Sequence, residues 1–243
     1  MQCTILAGGL GTRMLPRTES IPKTLLPVLG RPFADYQLQW LRSQGVTKVV
    51  YCIGHLGSMI RDYVGDGSAW GLEVRYSDEG ESLRGTAGAL RLACDNGLLR
   101  DRTFVLYGDS WLTASLPDVD NAFLQSRLPG LMTVLRNEGR WDTSNVEYAD
   151  GSIRRYDKMP GPHRSRMTYI DYGLLVWSRD AIARYVPAGV RADLADVLRS
   201  LSIERLLAGF EVQERFYEIG SPSGLADLES FLSVNNGDRV QAA

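Results

Sequence analysis

The run Leu6-Ala7-Gly8-Gly9-Leu10-Gly11-Thr12-Arg13, followed by Pro22-Lys23, holds the residue types that handle phosphate. Glycines let a backbone come close to an anion and turn successive N–H groups toward it. Arg13 and Lys23 add full positive charge beside those dipoles, where a polyphosphate needs it most. The spacing is not that of a P-loop, which has four residues between its glycines and then Gly-Lys-Ser/Thr. It is not a dinucleotide fingerprint either, because the third glycine counted from Gly9 falls on Met14. A plain strand-to-helix turn asks for one or two glycines and no paired cations.

A second chemical feature is Asp109, which ends the apolar stretch leading into Tyr107-Gly108-Asp109. A carboxylate in such a place is costly without a partner. Magnesium bridging nucleotide phosphates is a natural one, since it takes a few carboxylates together with phosphate and water. Capping of a turn is the plainer alternative.

These residues need elements to carry them. Strand patterns over 3–6, 48–53, 72–76 and 104–107 alternate with helical patterns over 33–44, 58–64 and 86–94, with Ser58 as the expected cap of the second helix. Such alternation predicts an α/β fold with a mostly parallel, twisted central sheet flanked by helices. Ligands then belong at the carboxyl ends of the strands, where the loop 8–13 and Gly108-Asp109 both fall. The second half is richer in strands: 131–136, 144–148, 152–156, 169–177 and 210–219. A hairpin turn is expected at Asp150-Gly151, and helices over 180–185, 194–207 and 223–232. The segment 161–166 reads as a loop. The expectation is a single domain over 1–235, its nucleotide-binding half about 1–115 and its β-rich half about 116–235, with a polar tail at 236–243.

Bulk properties set limits. With 243 residues, 44% of them hydrophobic, the chain can bury a sizeable core. A net charge of −2 argues against a nucleic-acid surface, so any phosphate-binding charge is local. Cys3, Cys52 and Cys94 are odd in number and lack zinc spacing, which suits free thiols in a reducing compartment. There is no signal-peptide pattern and no apolar run of membrane-spanning length, so a cytoplasmic protein without membrane partners is expected.

The motifs together resemble the sugar-1-phosphate nucleotidylyltransferases, and most nearly their mannose- and heptose-1-phosphate guanylyltransferase branch. The resemblance rests on Leu6 to Met14 and Pro22-Lys23-Thr24-Leu25-Leu26-Pro27-Val28-Leu29-Gly30-Arg31-Pro32. Four further segments match in order: Gly85-Thr86-Ala87-Gly88-Ala89, Tyr107-Gly108-Asp109, Asp157-Lys158 and Tyr217-Glu218-Ile219-Gly220-Ser221-Pro222. It implies a Rossmann-like fold of the nucleotide-diphospho-sugar transferase type with a smaller β-rich sugar-binding part. The implied partners are a nucleoside triphosphate and a sugar 1-phosphate, with pyrophosphate released and Mg2+ as cofactor; self-association stays open.

By the same resemblance, the nucleotide meets Leu6, Ala7, Gly8, Gly9, Gly11, Thr12, Gly85 and Thr86, and Arg13 and Lys23 are the catalytic cations. Glu218, where the family commonly has Asp, joins Asp109 on the metal. Asp157, Asp171, Gly173 and Asn145 belong to the sugar and Lys158 to its phosphate. Asp171 stands where Asn is usual, and unlike Asn an ionised Asp only accepts hydrogen bonds. Asn145 falls near a family glycine and would narrow the sugar pocket. Pyrimidine-specific members carry glutamine where this chain has Gly80, between Glu79 and Glu81. A carboxylate accepts two donors, and guanine offers a ring N–H beside an amino group, which favours GTP. Arg84 could instead meet a pyrimidine carbonyl, which keeps CTP and UTP open. Trp111, Trp141, Tyr169 and Tyr172 could form a cage for a phosphocholine acceptor. A regulatory subunit without turnover would be expected to lack Arg13, Lys23 or Asp109, and all three are present.

Overall fold

The computed structural model describes residues 1–159 and 161–240. In chain order the elements are β1 (Gln2–Leu6), β2 (Pro27–Val28), β3 (Arg31–Pro32), α1 (Phe33–Ser43), β4 (Lys48–Ile53), α2 (Gly57–Val64), β5 (Glu73–Asp78), α3 (Gly85–Asp95), β6 (Arg102–Tyr107) and β7 (Ser110–Trp111). There follow α4 (Leu116–Ser126), β8 (Gly130–Arg136), β9 (Val146–Ala149), β10 (Ser152–Tyr156), β11 (Tyr169–Ser178), α5 (Arg179–Tyr185), α6 (Leu194–Ile203), β12 (Leu207–Val212), β13 (Tyr217–Glu218) and α7 (Pro222–Val240).

Nine strands form one sheet in the order β5-β4-β1-β6-β11-β8-β12-β10-β9. The β5-β4-β1-β6 portion is parallel throughout, and β8 and β12 are parallel to each other. Antiparallel direction enters through β11, between β6 and β8, and again at β10. The chain leaves β1 toward β4 and β5, then returns to place β6 on the other side. That reversal opens a crevice at the carboxyl ends of β1 and β6.

Alternate residues along the strands enter two separate cores. Cys3, Ile5, Val49, Tyr51, Phe104 and Leu106 pack on one face with α1, α2 and α4. Leu6, Val50, Cys52, Val105 and Trp177 pack on the other with α3, α5 and α6. Cover on both faces explains why these strands are nearly continuous apolar runs. Burial pushes the thiols of Cys3 and Cys52 upward, so both stay protonated. A third cluster joins Met14, Leu26, Val28, Phe33 and Tyr36 to Ile219, Leu225, Leu228 and Leu232. It ties the segment between β1 and α1 to α7. No helix among the described residues is long and apolar enough to cross a membrane.

Several boundaries differ from the sequence expectation. Ser58 lies inside α2 rather than capping it; the cap position is Leu56, in a left-handed conformation. Helix α4 was not foreseen, although Ser115 accepts from the Asp118 N–H and Pro117 stands in the first turn. The expected strand over 210–219 is two elements, β12 and β13, separated by the turn that carries Arg215. Residues 204–207 leave α6, which ends at Ile203, so that β12 can begin. The 161–166 segment is a 3-10 helix, Gly161–Arg166. Helix α7 continues through most of the expected polar tail, and residues 241–243 of that tail lie outside the described residues.

Candidate functional site

Strand β1 delivers residues 7–13 into the crevice. The Ala7 N–H donates to Cys52 O (2.8 Å) and the Gly108 N–H donates to Leu6 O (2.9 Å), so the loops after β1, β4 and β6 are tied at their roots. Gly11 has φ of 67°, the left-handed region that glycine adopts without strain. A methyl group there would also stand 3.0 Å from Thr18 and 3.2 Å from the Lys23 side chain. Thr18 Oγ1 donates to Gly11 O at 2.9 Å and holds the loop in that shape. Lys23 begins a 3-10 turn, and its neighbour Thr24 donates to Gly108 O (3.0 Å), which docks the turn on the end of β6.

The result is an ion pair between Lys23 Nζ and Asp109 Oδ2 at 2.9 Å, with side chains 19% and 21% exposed. On the other side of Asp109 lies Arg13, whose Nη1 is 3.8 Å from Glu218 Oε1. Arg13 and Asp109 both crowd Gly220, where a Cβ would be 3.0 Å from Arg13 Nη2 and 3.3 Å from Asp109 Oδ2. Glu218 reaches this point because β13 pairs with β7, with Glu218 opposite Ser110. Burial raises the Glu218 pKa most, the charge on Asp109 raises it further, and Arg13 and Lys23 oppose both. Arg13, Lys23, Asp109 and Glu218, drawn from four segments, therefore form one cluster.

Two clefts meet there. The first, about 370 Å³, is lined by Leu6, Ala7, Gly8, Gly9, Gly11, Thr12, Lys23, Glu79, Gly85, Thr86 and Asp109 among the residues singled out from sequence. The second, about 590 Å³, is lined by Arg13, Asp109, Asn145, Lys158, Asp171, Gly173 and Glu218 among them. Tyr107 and Asp109 belong to both.

Two expected residues fall outside both clefts. Glu81 is exposed beyond the first. Asp157 is almost buried, paired with Arg199 at 3.0 Å and accepting from the Met159 N–H at 3.0 Å, so its carboxylate is directed at α6 rather than at the second cleft.

Glu79 is placed differently. Its carboxylate packs against Gly8, where a side chain would collide with it, and lies 3.2 Å from where a Cβ on Gly54 would stand. Oε2 accepts from the Arg84 N–H, Oε1 lies against Gly8, and the residue lines the first cleft. Burial raises its pKa, against the pull of Arg84. Arg84 itself does not line that cleft.

In the second cleft the β11–β8 register shifts between Asp171 and Leu175. Asp171 Oδ1 accepts from the Gly173 N–H at 3.0 Å, and Asn145 Oδ1 accepts from the Asp171 N–H at 2.9 Å. Burial pushes the Asp171 carboxyl up to about 6, opposed by the Gly173 N–H and by Lys158.

The four aromatic residues considered for a choline cage do not converge. Trp111 packs on Tyr36 and Trp40, Tyr169 on Tyr148, and Tyr172 on Phe216. Trp141 and Tyr172 do border the second cleft, but the Arg215 guanidinium already lies 3.9 Å from the Trp141 ring centroid and 4.4 Å from that of Tyr217. Arg191 and Arg215 line the clefts and are not singled out by the sequence. Arg191 comes from the loop before α6, whose Ala192 O accepts from the Ala87 N–H at 3.0 Å. Nothing in local spacing links that loop to α3.

The fold and this cluster define a phosphate-handling α/β protein, and the comparisons give the class. The chain belongs to the nucleotidyl transferase family, which it matches over residues 3–144. It is 28% identical over 206 residues to a UTP–glucose-1-phosphate uridylyltransferase of Synechocystis sp., covering 80% of this chain and 53% of that protein. It is 30% identical over 162 residues to a D-glycero-α-D-manno-heptose 1-phosphate guanylyltransferase of Campylobacter jejuni, covering 65% of this chain and 69% of that one. The fold is similar to the crystal structure of HddC from Yersinia pseudotuberculosis, with a TM-score of 0.75 at 20% identity over 95% of this chain and 99% of the other. The chain spans about half to two thirds of the length of the curated relatives it matches.

Proposed function

We propose that this protein transfers a nucleotidyl group from a nucleoside triphosphate, with GTP preferred, to a hexose or heptose 1-phosphate. A phosphate oxygen of the sugar bonds to the α-phosphorus, the bond to the bridging oxygen breaks, and pyrophosphate leaves with those electrons. The observation that carries this is the Lys23–Asp109 pair at the border of two clefts, one walled by the glycine loop and the other holding Lys158.

The nucleophile is already an anion, so the site needs charge compensation rather than a general base. Main-chain N–H groups of residues 8–12 suit the β- and γ-phosphates, and Arg13, which lines the second cleft beside Glu218, adds positive charge to the cluster. Lys23 suits the α-phosphate, where its cation lowers the repulsion between two approaching polyanions and holds them in line. Lys158 suits the acceptor phosphate; Asp171 and Asn145 suit sugar hydroxyls.

Asp109 and Glu218 fit a magnesium ion. They supply hard oxygen donors, Asp109 from the turn before β7 and Glu218 from β13 paired with it, and Glu218 carries a charge that Asp109 disfavours until a cation arrives. Among the described residues no cluster of three or more His, Cys, Asp or Glu could hold a metal ion, so an ion held by these two carboxylates would take phosphate and water oxygens as its other ligands. When bound, the ion supplies positive charge to the triphosphate.

Glu79 supports guanine as a carboxylate lining the first cleft, with Oε1 the acceptor that the Arg84 N–H does not take. Metal-dependent chemistry on nucleotides and the free thiols both suit a cytoplasmic setting. Pyrophosphate release from GTP, UTP, dTTP and CTP, each paired with several sugar 1-phosphates, tests the proposal. Mg2+-dependent release that is fastest with GTP is the expected outcome; release favouring a pyrimidine nucleotide overturns the base assignment.

A further inference from the structure

Gln37 occupies the centre of α1 and has no exposed surface, although Phe33, Ala34, Leu38 and Leu41 around it are apolar core residues. Its Nε2 donates two hydrogen bonds, to Tyr107 O and to Ser110 O, each 3.0 Å. An amide nitrogen has two hydrogens, so both are committed to the two ends of one turn. Gly108 and Asp109 lie between those ends. Gln37 Oε1 is buried without a hydrogen-bond partner. An unsatisfied buried acceptor is destabilising, and an apolar side chain of the same size would avoid it. The residue is therefore explained by what its nitrogen holds rather than by packing.

The bonds reach further than Asp109. Ser110 is the ladder partner of Glu218, and Asp109 O accepts from the Ile219 N–H at 2.9 Å. One side chain thus braces the backbone under both carboxylates. We propose that Gln37 is a positioning residue that fixes the separation of Asp109 and Glu218 so that together they hold a divalent cation, a role that rests on the function proposed above. Only a neutral amide does this: Met or Leu donates nothing, and Glu turns acceptor oxygens toward two carbonyls.

The test compares wild type, Gln37→Met and a control on the same helix, Tyr36→Phe, which loses only the bond from Tyr36 OH to Val28 O (3.1 Å). Mn2+ alone is titrated into each folded protein and the free ion is read by electron paramagnetic resonance. Thermal unfolding and the Mg2+ dependence of pyrophosphate release are measured beside it. Gln37→Met should weaken Mn2+ binding by about tenfold or more, the range for residues behind metal ligands. Its Mg2+ half-saturation should rise in parallel, with kcat partly restored at high Mg2+ and KM for the sugar phosphate little changed. Tyr36→Phe should lower the melting temperature without moving either metal reading. Unchanged Mn2+ affinity in folded Gln37→Met overturns the proposal, whatever its melting temperature. Should that variant not fold, Gln37→Glu carries the same comparison, and unchanged Mn2+ binding there is equally decisive. If wild type releases pyrophosphate from no nucleotide, the reaction assignment fails, while the Mn2+ comparison still decides the role of Gln37.

Discussion

Asp171 is a half-buried carboxyl group at the wall of the second cleft, where desolvation pushes its pKa up to about 6. An unfolded Asp titrates near 4. Between about pH 4 and pH 6 the folded protein therefore keeps a proton that the unfolded chain has released. Its contribution to stability is full below the lower value and is lost as pH rises through the upper one. Asp171→Asn removes that dependence. Urea midpoints of both proteins from pH 4 to pH 7 should show wild type losing ground to the variant as pH rises, and a constant gap would refute it. At the other cleft, Glu79→Gln keeps the side chain's shape but trades one acceptor oxygen for a donor. The ratio of kcat/KM for GTP to that for UTP should fall by about tenfold or more, as expected where buried donors and acceptors are mismatched. A ratio that does not move would remove Glu79 from base selection.

At the scale of elements, the loop between β1 and the Lys23 turn depends on Gly11. Gly11→Ala imposes a left-handed φ on an alanine and presses on Thr18 and Lys23. The expected cost is about 1 kcal/mol or more of stability together with a raised KM for nucleotide, read by denaturation and steady-state rates. Much of this level was legible in sequence. The glycine run and Asp109 each follow a short apolar strand, so local pattern alone put them at strand ends. What escaped depends on distant partners. Asp157 was read as facing a ligand, but Arg199 on α6 takes its carboxylate. Arg191 enters the first cleft because the loop before α6 hydrogen-bonds to the start of α3, far away in sequence. Gln37 left one signal, a polar residue on the apolar stripe of an otherwise ordinary helix. The strand over 210–219 was misjudged because β12 joins the main sheet while β13 pairs only with β7.

For the whole molecule, the site depends on joining the two ends of the chain. Met14 and Leu26, on either side of Lys23, pack with Leu225, Leu228 and Leu232 of α7. Leu228 is fully buried there, so Leu228→Ala should cost about 2–5 kcal/mol in denaturant unfolding. It should also lower turnover, because the same cluster contains Ile219, next to Glu218. Full stability in that variant would mean that α7 is dispensable. The most direct measurement is pyrophosphate release by wild type, Lys23→Ala and Asp109→Ala with saturating triphosphate, sugar 1-phosphate and Mg2+. Each variant should lose at least about a hundredfold in turnover, as when a preorganised charge at the transition state is removed. Near-normal release from either would contradict the placing of one triphosphate between that lysine and that aspartate.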